Sequence, residues 1–235
     1  MTPAPLLEAK DVSIRFGGLQ ALSGVDYVVG ERELSCIIGP NGAGKSTFLN
    51  CLTGTLRPTG GTVRFAGLNL AGLSLHRIAG LGIARKFQIP SVFSSLTVED
   101  NVNVAHWGLG SHARSTADIL DLVGLSSQAS VLAGELAHGQ KQWLEIGMAL
   151  AINPRMLLLD EPTAGMTPAE TIATAQMLLR LRSEFSIVAV EHDIRFVRAL
   201  DCRTLVLHQG KVLRNAPFAE IEADELVRDV YLGRR

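Results

Sequence analysis

The sequence predicts an α/β fold: a parallel sheet with helices, preceded by a smaller antiparallel β unit and interrupted by a helical stretch. Three observations carry that expectation. Short apolar runs at 156–159, 187–190 and 204–208 stand apart with helical segments between them, as strands buried on both faces do. The N-terminal stretch alternates instead, with Val12, Ile14 and Phe16 on one side and Ser13 and Arg15 on the other, the period of a half-buried strand. From Leu73 to about Ala151 the pattern is mostly helical.

In chain order, the first strand turns at Gly17-Gly18 into a second over about 22–29, which ends at a turn on Gly30-Glu31. Leu34-Ser35-Cys36-Ile37-Ile38 reads as a short buried strand, and 48–53 as a helix that Gly54 stops. Gly60-Gly61 signals a hairpin before a strand over 62–65. Thr97 heads a helix as N-cap with Asp100 at N3, and 115–123 is amphipathic and ends at Gly124. There is no internal repeat, low-complexity run or long linker. The expected organisation is one domain over 1–235, with 1–87 and 152–235 forming the core and its β subdomain, and 88–151 a helical subdomain.

Composition sets limits on function. With 47% apolar and 19% charged residues, the 235-residue chain is globular rather than disordered. A net charge of −1 gives no overall field to recruit nucleic acid or anionic lipid, so no nucleic-acid partner is expected. Three cysteines without paired spacing fit a reducing compartment, with Cys36 and Cys51 as small core residues. The first residues lack a basic-then-apolar leader, and no run approaches the roughly 18 apolar residues of a membrane span, so a soluble chain is expected. A mean hydropathy of +0.23 suggests surfaces that bind partners.

The most specific stretch is Gly39-Pro40-Asn41-Gly42-Ala43-Gly44-Lys45-Ser46-Thr47, which matches the phosphate-loop pattern G-x-x-x-x-G-K-[ST] between a strand and a helix. Its glycines let backbone N–H groups converge on phosphate oxygens, and the helix N-terminus adds positive partial charge. Lys45 reaches the β- and γ-phosphates in this reading, and the Ser46 hydroxyl ligates Mg²⁺, a hard cation that prefers oxygen. Met156-Leu157-Leu158-Leu159-Asp160-Glu161 is an apolar strand ending in two acids, at the end of the sheet where such folds bind ligands. Asp160 is expected to hold Mg²⁺ and Glu161 to polarise the attacking water; two solvated acids at a strand end are the plainer alternative.

With Pro162-Thr163 after those acids and Leu136-Ala137-His138-Gly139-Gln140 before them, the chain resembles the ATP-binding cassette of ATP-binding cassette (ABC) transporters over nearly its whole length. The resemblance implies a phosphate-loop NTPase core with an N-terminal antiparallel β subdomain and an inserted α-helical subdomain. It also implies ATP and Mg²⁺ as cofactors. Ala137, His138, Gly139 and Gln140 match the signature that opens a helix and faces the γ-phosphate held by an opposite cassette, so one site needs two chains. Gln88 matches the glutamine that contacts Mg²⁺ and water, and His192 the histidine that senses the γ-phosphate. Phe16 falls where an aromatic stacks on adenine, although periodicity alone makes it a core strand residue. Ala164-Gly165-Met166-Thr167 occupies the loop that crosses between cassettes.

The departures from the family pattern are specific. Ala137 replaces the usual serine, which removes one hydroxyl bond to phosphate; such a charge-assisted bond contributes about 1.5–3 kcal/mol. His138 replaces a glycine and either compensates or is tolerated. These features, with Leu144-Glu145-Ile146, Arg85-Lys86-Phe87-Gln88 and Val230-Tyr231-Leu232-Gly233-Arg234, resemble the branch of branched-chain amino acid and urea importers, and 138–148 looks closest to a urea-type ATPase. Trp143, Ile146 and Leu150 read as a packed helix stripe. The resemblance implies an ATPase peripheral to the cytoplasmic face of the inner membrane, powering uptake by dimer closure. Its implied partners are membrane permease subunits, a second cassette, more often a different protein than a copy, and indirectly a periplasmic binding protein. The alternative is a nucleotide-gated regulatory or non-transport ATPase with weak hydrolysis.

Overall fold

A computed structural model describes residues 4–86, 92–106 and 114–232 of the chain. Its strands are β1 (Leu7–Phe16), β2 (Leu19–Val29), β3 (Leu34–Ile38), β4 (Gly60–Phe65), β5 (Leu68–Asn69), β6 (Ile83–Lys86), β7 (Met156–Asp160), β8 (Ser186–Val190), β9 (Arg203–His208) and β10 (Lys211–Pro217). The helices are α1 (Lys45–Leu52), α2 (Leu75–Gly80), α3 (Val98–His106), α4 (Thr116–Leu122), α5 (His138–Leu150), α6 (Pro168–Leu181), α7 (Ile194–Leu200), α8 (Phe218–Ala223) and α9 (Glu225–Val227). Two sheets result among the described residues: an antiparallel one ordered β2-β1-β4-β5, and a six-stranded one ordered β10-β9-β3-β8-β7-β6. In the larger sheet every pair is parallel except β10 with β9.

All five residues of β3, β7 and β8 are buried, because both faces of the sheet are covered. Alternate residues go to opposite cores. Ile38, Leu157, Leu159 and Ile187 join the cluster packed with α3 to α7. Ile37, Leu158, Val188 and Val190 join the one packed with α1 and the antiparallel sheet. Truncating one such side chain, Leu158 for example, costs about 2–5 kcal/mol. The sheet is thereby a rigid platform whose strand ends carry the loops described below.

The local expectations hold at several ends. Gly17 at φ 57 makes the tight turn that pairs Phe16 with Leu19. Gly54 at φ 71 follows α1 as the left-handed stop. Thr97 Oγ1 accepts from the Asp100 N–H at 3.0 Å and donates to Asp100 Oδ2 at 2.7 Å at the head of α3. One reading needs correction, and two strands have no counterpart in the sequence analysis. Gly60-Gly61 is not a hairpin turn: both residues lie in β4, where the register to β1 shifts, and Gly61 has φ 77 with Asp11 O only 2.1 Å from where a Cβ would stand. The segment after Leu73 is not helical throughout, since β6 is the edge strand of the core sheet. Its two charged residues disguise it, and they are accommodated by ion pairs of Arg85 with Asp160 and Lys86 with Glu145. Strand β10 lacks an apolar run because it lies at the sheet edge, mostly outside the core, where Pro217 is tolerated.

Candidate nucleotide site

The loop between β3 and α1 is held in shape by its own groups. Lys45 Nζ donates to Gly39 O at 2.7 Å and Pro40 O at 3.0 Å, so the lysine closes the loop on itself. Burial pushes the Lys45 ammonium down from its ordinary range, while the Glu161 and Asp160 carboxylates oppose that shift. Gly44 caps α1 at φ 99, and a Cβ there would stand 2.9 Å from Ala21 O. A Cβ on Gly39 would meet Leu207 O at 2.2 Å. The backbone therefore needs glycine at both positions, and the Ala43 N–H closes the loop on Pro40 O at 3.1 Å. Beside it opens a cleft of about 540 Å³ whose lining includes Phe16, Asn41, Gly42, Ser46 and Glu161.

Phe16 is 49% exposed, whereas Val12 and Ile14 of the same strand are buried. The strand carries its last aromatic past the edge of the core and into the cleft wall, against the core-residue alternative.

The acids follow β7. Asp160 is buried, and its Oδ2 accepts from the Arg85 guanidinium at 2.9 Å, while Arg85 also donates to Asn50 Oδ1 on α1 at 2.5 Å. Glu161 sits at φ 47 and donates its N–H to Val190 O at 2.9 Å. A left-handed glutamate costs on the order of 1–3 kcal/mol, and such strain clusters where a side chain must be aimed; here the side chain reaches the cleft. His192, after β8, brings Nδ1 to 3.6 Å from Glu161 Oε1. Ser46 lines the cleft, and it and Asp160, whose Oδ2 is held by Arg85, carry the oxygen donors that a hard divalent cation such as Mg²⁺ prefers.

Between those two loops lies a residue to which the sequence reading gave no role. Glu191 is fully buried, and it accepts from Thr163 N and Oγ1 at 2.9 and 2.7 Å and from His192 N at 3.1 Å. Burial pushes its carboxyl up from the usual glutamate range, against these hydrogen bonds. The signal was available: an acid directly after a buried apolar strand, as at Asp160. Arg85 carries no signal of its own in Arg85-Lys86-Phe87-Gln88, since its bridge depends on a strand hidden by its own charges.

The signature residues lie elsewhere. None of Ala137, His138, Gly139 and Gln140 is among the described residues that line the cleft. They form the head of α5, with Ala137 and His138 exposed and Gly139 buried; Ala137 offers no side-chain cap and Gln140 Oε1 instead accepts the Ala137 N–H at 3.1 Å. His138 Nε2 lies 2.9 Å from Ala164 O, turned toward the loop that Gly165 bends at φ 73. Gly139 packs so closely on Glu170 that a Cβ would stand 2.5 Å from its carboxylate. Glu170 also completes a capping box with Thr167 at the start of α6, and the bonds from Thr167 hold its carboxyl below the usual range. Trp143 Nε1 donates to Thr174 Oγ1 at 2.8 Å, and Ile146 and Leu150 are buried, as a packed stripe requires. Gln88 lies outside the described residues.

Comparison with known proteins places this arrangement. The ABC transporter family profile matches residues 22–164. The chain is 38% identical to the high-affinity branched-chain amino acid transport ATP-binding protein BraF of Pseudomonas aeruginosa, over 97% of this chain and 98% of that one. It is 36% identical to LivG of Escherichia coli strain K12, named for the same transport, with the same coverage. The crystal structure of an ATP-binding cassette of an ABC transporter in its ADP conformation superposes with a TM-score of 0.86 at 27% identity, covering 99% of this chain and all of that one. Phosphate loop, paired acids and full-length similarity agree: the chain belongs to the ABC transporter family, as a nucleotide-binding, ATP-hydrolysing subunit.

Proposed function

We propose that this chain powers a membrane importer in which two cassettes close on two Mg·ATP, each phosphate loop facing the other cassette's signature. The observation that carries the reading is the left-handed Glu161, which lines the cleft beside the phosphate loop and lies within 3.6 Å of His192. Mg²⁺, when bound through Ser46 and Asp160, would neutralise charge on the β- and γ-phosphates. Lys45 binds those phosphates once it leaves the Gly39 and Pro40 carbonyls. Phe16 stacks on the base, and Gln88 contacts the metal and water. Glu161 orients and polarises water for in-line attack, and His192 donates toward the charge that spreads on the γ-phosphoryl oxygens. Ala137, His138, Gly139 and Gln140 present the head of α5 to the γ-phosphate across the interface. Because ATP binds the closed pair better than the open one, binding and hydrolysis drive closing and reopening.

The helical unit over 88–151 is the arm that moves with the permease subunits, which dock near 88–96. The chain works at the cytoplasmic face of the membrane as a peripheral subunit; no helix among the described residues is long and apolar enough to cross it. The second cassette is a different protein in this reading, and a periplasmic binding protein delivers cargo. That cargo is a small amino-acid or amide solute. The relatives at 36–38% identity are named for branched-chain amino acids, and the α5 sequence favours urea or an amide.

Pull-down of tagged chain from native membranes in mild detergent tests the assembly. Two polytopic membrane proteins and a second cassette are expected, and a complex containing only soluble partners overturns the importer reading. Uptake of labelled leucine and of labelled urea, with and without the chain, then assigns the cargo. The exposed Ala137 favours one second reading, a regulatory subunit with weak hydrolysis, which low turnover in the assembled complex would support.

A further inference from the structure

We infer that Glu191 is a positioning residue for hydrolysis: its one buried carboxylate fixes the loop that presents Glu161 relative to His192. Oε1 takes both the N–H and the hydroxyl of Thr163, two residues beyond Glu161, at 2.9 and 2.7 Å. Oε2 takes the His192 N–H at 3.1 Å and lies 3.9 Å from His192 Nδ1. The backbone adds a tie to the sheet, since the Glu191 N–H donates to Ile37 O of β3 at 3.0 Å, two residues before Gly39. Glu191 thus sits where the loops after β7 and β8 meet beside the end of β3, and its side chain is 0% exposed. An apolar residue would fill this space without the desolvation that a buried carboxylate suffers. What it would lack is two oxygens able to accept three donors from two different loops. The arrangement makes sense if the separation of Glu161 and His192 must be held constant while nucleotide comes and goes.

This inference rests on the assignment of Glu161 and His192 to hydrolysis, so both are controls. The test uses full-length chain purified with its membrane partners, with steady-state ATP turnover and affinity for a fluorescent ATP analogue as readouts. Glu191→Ala is expected to lower kcat about 10–100-fold, the range in which misplaced catalytic groups act, with nucleotide affinity within about twofold. Glu191→Gln keeps an acceptor for Thr163 but turns an amide toward the His192 N–H, and should lose less. Thr163→Val should lose less still and add nothing in the Glu191→Ala background, since both act through one contact. Glu161→Gln and His192→Ala at wild-type turnover would sink the site assignment itself. Loss of turnover in those two, with Glu191→Ala unaffected or losing affinity and kcat together, would overturn only the positioning role. If Glu191→Ala does not fold, wild-type kcat in both Glu191→Gln and Thr163→Val overturns it.

Discussion

Around the phosphate loop, polar groups are held by buried partners; at the head of α5 they stand in solvent. Asp160, Glu191 and Lys45 are all buried, and each makes hydrogen bonds to a neighbouring loop or strand. Ala137 and His138 are exposed, and that helix end is held by Gln140 on its own backbone and by His138 on Ala164 O. The first region is rigid because each group has its partner within the chain. In the second, Ala137 and His138 reach solvent while Gln140 and His138 bond within the chain. The contrast can be tested at each end.

The largest effect is expected at the buried end. Glu161→Gln preserves shape but cannot polarise water, so turnover should fall about 10²–10³-fold or more while ATP binding persists and a closed dimer accumulates. Sizing chromatography with ATP and a turnover assay check this together; unchanged turnover removes Glu161 from catalysis. Next is the Lys86–Glu145 pair, 3.2 Å apart and buried on both sides, which ties β6 to α5. Glu145→Ala removes the carboxylate facing Lys86 and should destabilise the chain by about 3–5 kcal/mol, whereas Lys86→Met with Glu145→Leu should be near neutral. Denaturant unfolding separates the two cases. Equal losses in both would mean that the charged pair itself is net stabilising, beyond packing or the relief of an unpaired charge.

That pair also shows where the sequence stopped being legible. Strands that bury both faces, β3, β7 and β8, announce themselves as apolar runs, and the phosphate loop follows from spacing and the strand and helix on either side of it. Strand β6 does not, because Arg85 and Lys86 read as solvated until Asp160 and Glu145 are brought to them by distant segments. Glu191 is half legible: an acid after an apolar strand marks it, but its bonds to Thr163 appear only when the strand ends meet. Phe16 sits in phase with core residues, so periodicity could not tell the cleft wall from the core. The capping box of Thr167 and Glu170 is the opposite case, a local signal open to any reading of Thr-Pro-Ala-Glu.

At the exposed end the effects are smaller. His138→Gly removes the bond to Ala164 O, an exposed contact contributing about 0.5–1.5 kcal/mol, so turnover should fall only about 3–10-fold, with KM unchanged. His138→Asn, which keeps a donor, should recover part of it. A matching loss in both variants would show that ring size matters and the bond does not.

The smallest expected change is the most diagnostic for the regulatory alternative. Ala137→Ser places a hydroxyl at the N-cap of α5, where the present residue accepts nothing and only Gln140 folds back. A serine cap stabilises by about 1 kcal/mol, which for a chain of this size raises Tm by roughly 2–4 °C. Turnover should change by less than about threefold if the amides of the helix head already supply what the γ-phosphate needs. A rise beyond about tenfold would match the 1.5–3 kcal/mol of a charge-assisted bond. It would mean that this chain's signature is the limiting half of one composite site, and that the other, built on this chain's own phosphate loop, would then carry most of the hydrolysis.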